Sequence, residues 1–138
     1  MKKIALITGA TSGIGEACAR RFADGGYDLI ITGRRAEKLA AIKEDIEDQG
    51  TKVKTLTFDV RDADAAEAAI NSLEPEWRNV DVLINNAGLA LGLDKEFEGD
   101  PVDWNTMIDT NIKGLLTMTR LIVPGMVKRN EGHVINIG

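Results

Sequence analysis

Short apolar runs alternate with longer amphipathic segments along the whole chain. Apolar and β-branched residues dominate five short stretches, which we predict to be strands at residues 3–8, 28–32, 53–58, 80–85 and 133–137. Between them apolar residues recur at helical spacing, as at Leu39, Ile42 and Ile46. This spacing predicts helices over residues 13–23, 36–49, 63–73 and 101–128.

Start and stop signals support these helix boundaries. Gly25 and Gly50 follow the first and second helices, where a glycine readily ends a helix. Asp62 is placed to cap the third helix, which stops near Pro75. Boundaries of this kind divide the chain into alternating strands and helices.

The last predicted helix is the longest, and it begins with a proline at its first position, Pro101. We expect Pro124 to bend its last turn, because proline lacks the N–H that a helix needs there. Its inward face is predicted to consist of Trp104, Ile108, Ile112, Leu115 and Leu116.

Strands that alternate with helices of this length predict an α/β fold, a doubly wound parallel sheet with helices on both faces. We expect the Rossmann strand order 3-2-1-4-5, with a ligand at the switch point between the first and fourth strands. The chain stops after the fifth strand, so we expect the fold to be truncated there with an uncovered sheet edge.

Composition narrows the function classes. A chain of 138 residues with 43% hydrophobic and 28% charged residues is ordinary for one globular domain. A net charge of −5 argues against binding to nucleic acid or to a membrane surface. We find no secretion signal, no apolar run that could span a membrane, and a single cysteine, Cys18, predicted to be buried. We therefore expect a cytoplasmic protein.

The most informative motif is the glycine-rich stretch 8–15, which directly follows the first predicted strand. Its three glycines, Gly9, Gly13 and Gly15, are spaced Gly-x-x-x-Gly-x-Gly and lead into a helix. The start of a helix offers N–H donors and a positive dipole end, and glycines let a diphosphate approach the backbone. The motif predicts a dinucleotide site, although an ordinary glycine-rich turn would have the same composition.

Two arginines follow the second predicted strand, where such folds select between NAD and NADP. Arg34 and Arg35 suit the 2′-phosphate of NADP, whereas Asp28 and Glu37 lie at the start of the strand and inside the next helix. We therefore predict NADP. Both arginines could instead be solvated charges of a turn.

Polar residues also follow the third and fourth strands. Asp59 and Val60 end the third strand within reach of an adenine, and residues 85–88 read Asn-Asn-Ala-Gly after the fourth. These amides suit a backbone that passes close to a nucleotide, or equally a buried loop that they cap. His133 is the only histidine, and we predict an exposed side chain and no metal site.

Taken together, these motifs resemble the first half of the short-chain dehydrogenase/reductase family. The glycine turn, the Asn-Asn-Ala-Gly motif and Asn111 occur in the order found in that family. Segments 86–92 and 104–111 are similar to those of NADP-dependent 3-hydroxy acid dehydrogenases, which act on serine, allo-threonine and related 3-hydroxy acids.

The resemblance implies a role for each matching residue. The diphosphate and nearby ribose would contact Gly9, Thr11, Ser12, Gly13, Ile14 and Gly15. The 2′-phosphate would contact Arg34 and Arg35, the adenine Asp59 and Val60, and the nicotinamide-side ribose Asn86, Ala87 and Gly88. Asn111 matches the family's catalytic asparagine, which interrupts its helix and holds a water of the proton relay.

The rest of the family's catalytic tetrad has no match. In the family, a serine follows the fifth strand and a Tyr-x-x-x-Lys lies on the next helix, whereas the only tyrosine here, Tyr27, has no lysine four positions later. We therefore expect residues 1–138 to be the NADP-binding Rossmann domain of an oxidoreductase, without its C-terminal catalytic and substrate-binding half and inactive alone.

The expected reaction interconverts a secondary alcohol, a 3-hydroxy acid by the resemblance, and its ketone. The substrate would be a small carbonyl or alcohol compound. A homo-oligomer, a dimer or tetramer, is expected for the full-length form, because the helix at 101–128 resembles the family's dimer-forming helix. The alternatives are a non-catalytic nucleotide-binding fragment and an interaction module.

Overall fold

A computed structural model describes residues 2–87 and 100–137 of the chain. In it five parallel strands form one sheet in the order β3-β2-β1-β4-β5, which confirms the predicted topology. The strands are β1 (Ile4–Ile7), β2 (Asp28–Gly33), β3 (Val53–Thr57), β4 (Val82–Asn85) and β5 (His133–Asn136).

The helices follow the predicted order, with one division. They are α1 (Gly13–Asp24), α2 (Ala36–Glu47), α3 (Ala63–Asn71), α4 (Pro101–Ile108) and α5 (Gly114–Arg129). A short 3₁₀ helix spans Pro75–Trp77, and a π-helical turn at Asp109–Lys113 separates α4 from α5. The hydroxyl of Ser12 caps α1, and the Asp62 carboxylate caps α3 as predicted.

Side chains of alternate strand residues enter two cores, one on each face of the sheet. Ile4 and Leu6 belong to the core under α3 and α5, whereas Ala5 and Ile7 belong to the core under α1 and α2. All four are buried, because a central parallel strand is covered on both sides. Cys18, predicted to be buried, is half-buried at the edge of the second core.

The predicted inward face of the last helix is wrong. Trp104, Ile108, Ile112 and Leu116 have exposed fractions of 42% to 58%, and Leu115 is half-buried. The buried positions are Thr110, Gly114, Met118, Ile122 and Met126. Both sets repeat every four residues, and they differ by two positions, which is more than half a helical turn. Helical spacing alone therefore predicts a stripe without showing which stripe faces the sheet.

The remaining structural expectations have mixed outcomes. His133 is exposed, as predicted. Pro124 lies within α5, and the bend expected there stays a prediction. Over residues 2–87 and 100–137 no helix is long and apolar enough to cross a membrane, and no group of three metal-ligating side chains comes together.

Candidate functional site

A cleft of about 240 Å³ lies at the carboxyl edge of the sheet. It brings together nine residues that were predicted to bind the cofactor: Gly9, Thr11, Ser12, Arg34, Arg35, Asp59, Val60, Asn86 and Ala87. Its lining also includes residues that were not singled out from the sequence: Thr32, Gly33, Phe58, Arg61 and Thr110. The position is the one expected for a ligand in a sheet whose strand order reverses beside β1.

The other predicted residues lie beside this lining or outside the described part of the chain. Gly13, Ile14 and Gly15 form the first turn of α1, and the Ile14 side chain is exposed. Asn111 lies in the π-helical turn, directly after the lining residue Thr110. Gly88 lies outside the described residues.

The buried hydroxyl of Thr8 connects the carboxyl ends of β1 and β4. Its Oγ1 accepts hydrogen bonds from the backbone N–H groups of Asn86, at 3.0 Å, and Ala87, at 2.9 Å. It also lies 3.4 Å from the Ile84 carbonyl oxygen, to which it donates, and Thr8 is only 1% exposed. Thr8 is the first residue of the glycine-rich stretch, but the sequence did not predict this role, because its partners are about eighty residues away.

The Asn86 side chain holds the glycine turn from the opposite side. Its Nδ2 donates to the Gly9 carbonyl oxygen at 3.1 Å and to Ser12 Oγ at 3.0 Å. Ser12 Oγ in turn accepts from the Gly15 N–H at 3.2 Å. The side-chain nitrogen of Asn86 is therefore used within the protein. This agrees with the interpretation of the Asn-Asn-Ala-Gly motif in which its amides cap a loop.

Two of the turn's glycines are required by close packing. Gly9 adopts a φ of +61°, and a Cβ there would lie 2.8 Å from Ala87 Cα. A Cβ at Gly15 would overlap the Gly9 carbonyl oxygen and come within 2.6 Å of Asn86 Nδ2. These glycines let the turn and the end of β4 touch.

Gly13 differs from both, because nothing lies within 4 Å of a Cβ placed there. Packing within the described chain therefore does not explain this glycine. It is the first residue of α1, where backbone N–H groups and the helix dipole favour an anion. The first turn of α1 thus fits a diphosphate.

The two arginines after β2 are available to a ligand. Arg34 and Arg35 are exposed, line the cleft and form no ion pair with any described residue. The nearby acids are engaged or displaced. Asp28 accepts a hydrogen bond from the Lys52 N–H at 3.1 Å, at the other end of β2, and Glu37 does not line the cleft. This edge therefore suits a phosphate rather than a ribose hydroxyl.

Asp59 is held by a residue that the motif search did not select. Arg61 Nε lies 3.1 Å from Asp59 Oδ1 and 3.0 Å from Oδ2, and Arg61 Nη2 lies 2.7 Å from Oδ2. Hydrogen bonds from Arg61 hold the pKa of the Asp59 carboxyl below its usual range, and the positive charge of Arg34 acts in the same direction. Partial burial of the carboxyl opposes this lowering.

Asn111 lies where the resemblance implies an interrupted helix. The Gly114 N–H bonds to the Asp109 carbonyl oxygen, which closes a π-helical turn. A Cβ at Gly114 would lie 2.8 Å from Val60 Cγ2, so this glycine lets the turn approach the end of β3. Single π-helical turns occur frequently at functional sites.

Comparison with known proteins agrees with this geometry. The family model described as short chain dehydrogenase matches residues 3–138. The chain belongs to this family.

Curated and solved members of the family extend the comparison. The chain is 54% identical over 135 residues to the NADP-dependent 3-hydroxy acid dehydrogenase YdfG of Salmonella typhi, covering 98% of this chain and 53% of that protein. It is 48% identical over 139 residues to sulfoacetaldehyde reductase 2 of Chromohalobacter salexigens, covering 100% of this chain and 55% of that protein.

A structure of the closed form of serine dehydrogenase complexed with NADP+ matches with a TM-score of 0.91 and 50% identity. The match covers 98% of this chain and 53% of that one. The chain thus spans about half the length of the curated relatives it matches.

The Thr8 contact generates the first prediction. We expect Thr8→Val to lower the free energy of unfolding by about 1–3 kcal/mol, because two partly buried N–H groups lose their acceptor while the side-chain shape is kept. Chemical denaturation measures the change. Thr8→Ser, which keeps the hydroxyl, should recover most of the loss; equal destabilisation by both variants would contradict the role of the hydroxyl.

Proposed function

We propose that the chain is the NADP-binding part of an oxidoreductase that interconverts a 3-hydroxy acid and its ketone. The observation that carries the proposal is the cleft itself. It joins the start of α1, the arginines after β2 and the end of β4 at one edge of the sheet. The NADP-dependent relatives support the cofactor, and the 3-hydroxy acid dehydrogenase among them supports the substrate class.

Each part of the cleft receives one part of the dinucleotide in this proposal. The diphosphate lies at the first turn of α1, and the 2′-phosphate lies between Arg34 and Arg35. Asp59 and Val60 border the adenine, and residues 86–88 border the nicotinamide-side ribose. When bound, the reduced cofactor supplies the hydride, while this chain's residues bind and orient the dinucleotide.

Asn111 is the residue of this chain that we place in the proton relay, where it holds a water. Its place in the π-helical turn beside Thr110 supports the assignment, because Thr110 lines the cleft. No Tyr-x-x-x-Lys occurs within residues 1–138. Because a tyrosine has an ordinary pKa of about 10, it needs a neighbouring cation, such as the lysine of this motif, to act as an acid or base at neutral pH. We therefore assign cofactor binding, and not turnover, to the 138-residue polypeptide.

A second copy of the chain is the occupant that we propose for the exposed apolar stripe on α4 and α5. This stripe consists of Trp104, Ile108, Ile112 and Leu116. It lies on the side of the helix opposite the buried stripe. Exposed apolar stripes of this kind are characteristic of interfaces. The family's dimer-forming helix corresponds to the same segment, which supports a dimer or tetramer.

Cofactor choice is tested by titration of the chain with NADPH and NADH. We expect NADPH to bind about tenfold more tightly or better, because the 2′-phosphate gains charge-assisted hydrogen bonds from Arg34 and Arg35. Replacing both arginines by glutamine should remove most of this preference, whereas Arg21→Gln, at the end of α1, should not. Tighter binding of NADH by the unaltered chain would refute the proposal.

Glycine substitutions separate the ligand role from the packing role. Gly13→Ala should leave the free energy of unfolding nearly unchanged and weaken NADP binding by about tenfold or more, because the added methyl group projects where the diphosphate would lie. Gly15→Ala should instead destabilise the fold by about 1–3 kcal/mol through overpacking. Calorimetric titration and denaturation measure both; unchanged NADP affinity in Gly13→Ala would count against the diphosphate site.

The interface is tested by analytical ultracentrifugation. We expect the chain to sediment as a dimer or tetramer and Leu116→Glu to shift it toward the monomer, because a carboxylate would be buried in the apolar interface. Ala40→Glu adds the same charge at an exposed position on α2 and serves as the control. A chain that is monomeric at high concentration would overturn this assignment.

A further inference from the structure

Arg61 is the charged residue of the cleft lining that the proposed function leaves without a role. Besides the side-chain contacts with Asp59, its backbone N–H donates to Asp59 Oδ1 at 2.9 Å. The carboxylate is thus fixed from two directions by one residue. The side chains of Arg61 and Asp59 remain 38% and 28% exposed, so the pair borders the cleft instead of the core.

The surroundings of this pair are strongly acidic. A shallow depression next to the cleft is lined by Asp59, Arg61, Asp62, Ala63, Asp64 and Asp109. Among these described residues Arg61 is the one cation, and it stands against four carboxylates. Of the four carboxylates, Asp109 is also paired with Lys113, at 3.0 Å, and Asp59 is the one that lines the cleft itself. Without the guanidinium group of Arg61, Asp59 would lose the cation that holds it.

Asp59, the acidic residue that the depression shares with the cleft, lies close to the place assigned to the 2′-phosphate. The same cleft is lined by Asp59, Arg34 and Arg35. The positive charge of Arg34 contributes to lowering the pKa of Asp59. A bare Asp59 carboxylate would both repel a phosphate bound there and compete with it for the arginines. NAD, which has a hydroxyl group in place of this phosphate, would experience neither effect.

We propose that Arg61 determines cofactor specificity, favouring NADP over NAD by neutralising Asp59 beside the 2′-phosphate without binding the phosphate itself. The inference rests on the proposed function and adds a residue to its cofactor selection. Arg34 and Arg35 attract the phosphate, and Arg61 removes the charge that would repel it.

The test compares dissociation constants for NADP+ and NAD+ by calorimetry. Their ratio is the readout, because both dinucleotides carry the same adenine and any effect on adenine binding cancels. We expect Arg61→Gln to lower the preference for NADP+ by about tenfold. The Asp59 carboxylate, no longer paired with a cation, would repel the 2′-phosphate with the strength typical of two charges near a protein surface. Arg20→Gln is the matched control, because Arg20 also pairs with carboxylates, Glu16 and Asp45, but outside the cleft. It should leave the ratio unchanged.

A double substitution separates neutralisation from direct contact. If Arg61 acts through Asp59, adding Asp59→Asn to Arg61→Gln should restore most of the preference for NADP+, because the repelling charge is gone. A double variant as impaired as Arg61→Gln alone would show that Arg61 binds the phosphate and would overturn the proposal.

Arg61→Lys provides a second check, whatever the stability of the glutamine variant. It keeps the positive charge without the planar fork, so it should retain most of the preference for NADP+. A ratio as low as that of Arg61→Gln would contradict neutralisation. An unaltered chain that fails to bind NADP+ would refute the proposed function, whereas NADP+ preference that survives in Arg61→Gln would refute only the role of Arg61.

Discussion

The buried hydroxyl of Thr8 joins the carboxyl ends of β1 and β4, and the cleft depends on that contact. Parallel strands leave their terminal backbone groups at a common edge, where they must find partners if they are buried. Thr8 supplies an acceptor to the two N–H groups that follow β4. The Asn86 side chain then returns to the glycine turn, so the turn and the end of β4 form one unit.

The three glycine positions of the turn are explained by different physical requirements. Gly9 and Gly15 permit the contact with residues 86 and 87, which a Cβ at either position would prevent. Gly13 faces open space, so packing does not explain it, and we propose that it serves the diphosphate. Two of the three glycines in the motif therefore serve packing, which fixes the start of α1 against the end of β4.

Charge in the cleft is opposite to the charge of the molecule. The chain carries a net charge of −5, yet three arginines, Arg34, Arg35 and Arg61, line this one cleft. Composition favoured small ligands over nucleic acid, and the local distribution adds that the ligand is anionic. Arg34 and Arg35 could be selected from the sequence because they follow β2. Arg61 could not, since its importance comes from its bonds to Asp59 and from the acidic residues around them.

Local patterns in the sequence determined the elements, their order, the cap at Asp62 and most residues of the cleft, because each depends on neighbours within a few positions. The cap at Ser12 became evident in the structure. The division of the last helix into α4 and α5 was implied only by the family resemblance, in which the asparagine matched by Asn111 interrupts its helix. Tertiary structure decided which of two equally spaced stripes on that helix contacts the sheet, and it made Thr8 a structural centre. Periodicity records the spacing of side chains, whereas burial and hydrogen bonds between distant residues depend on what packs against them.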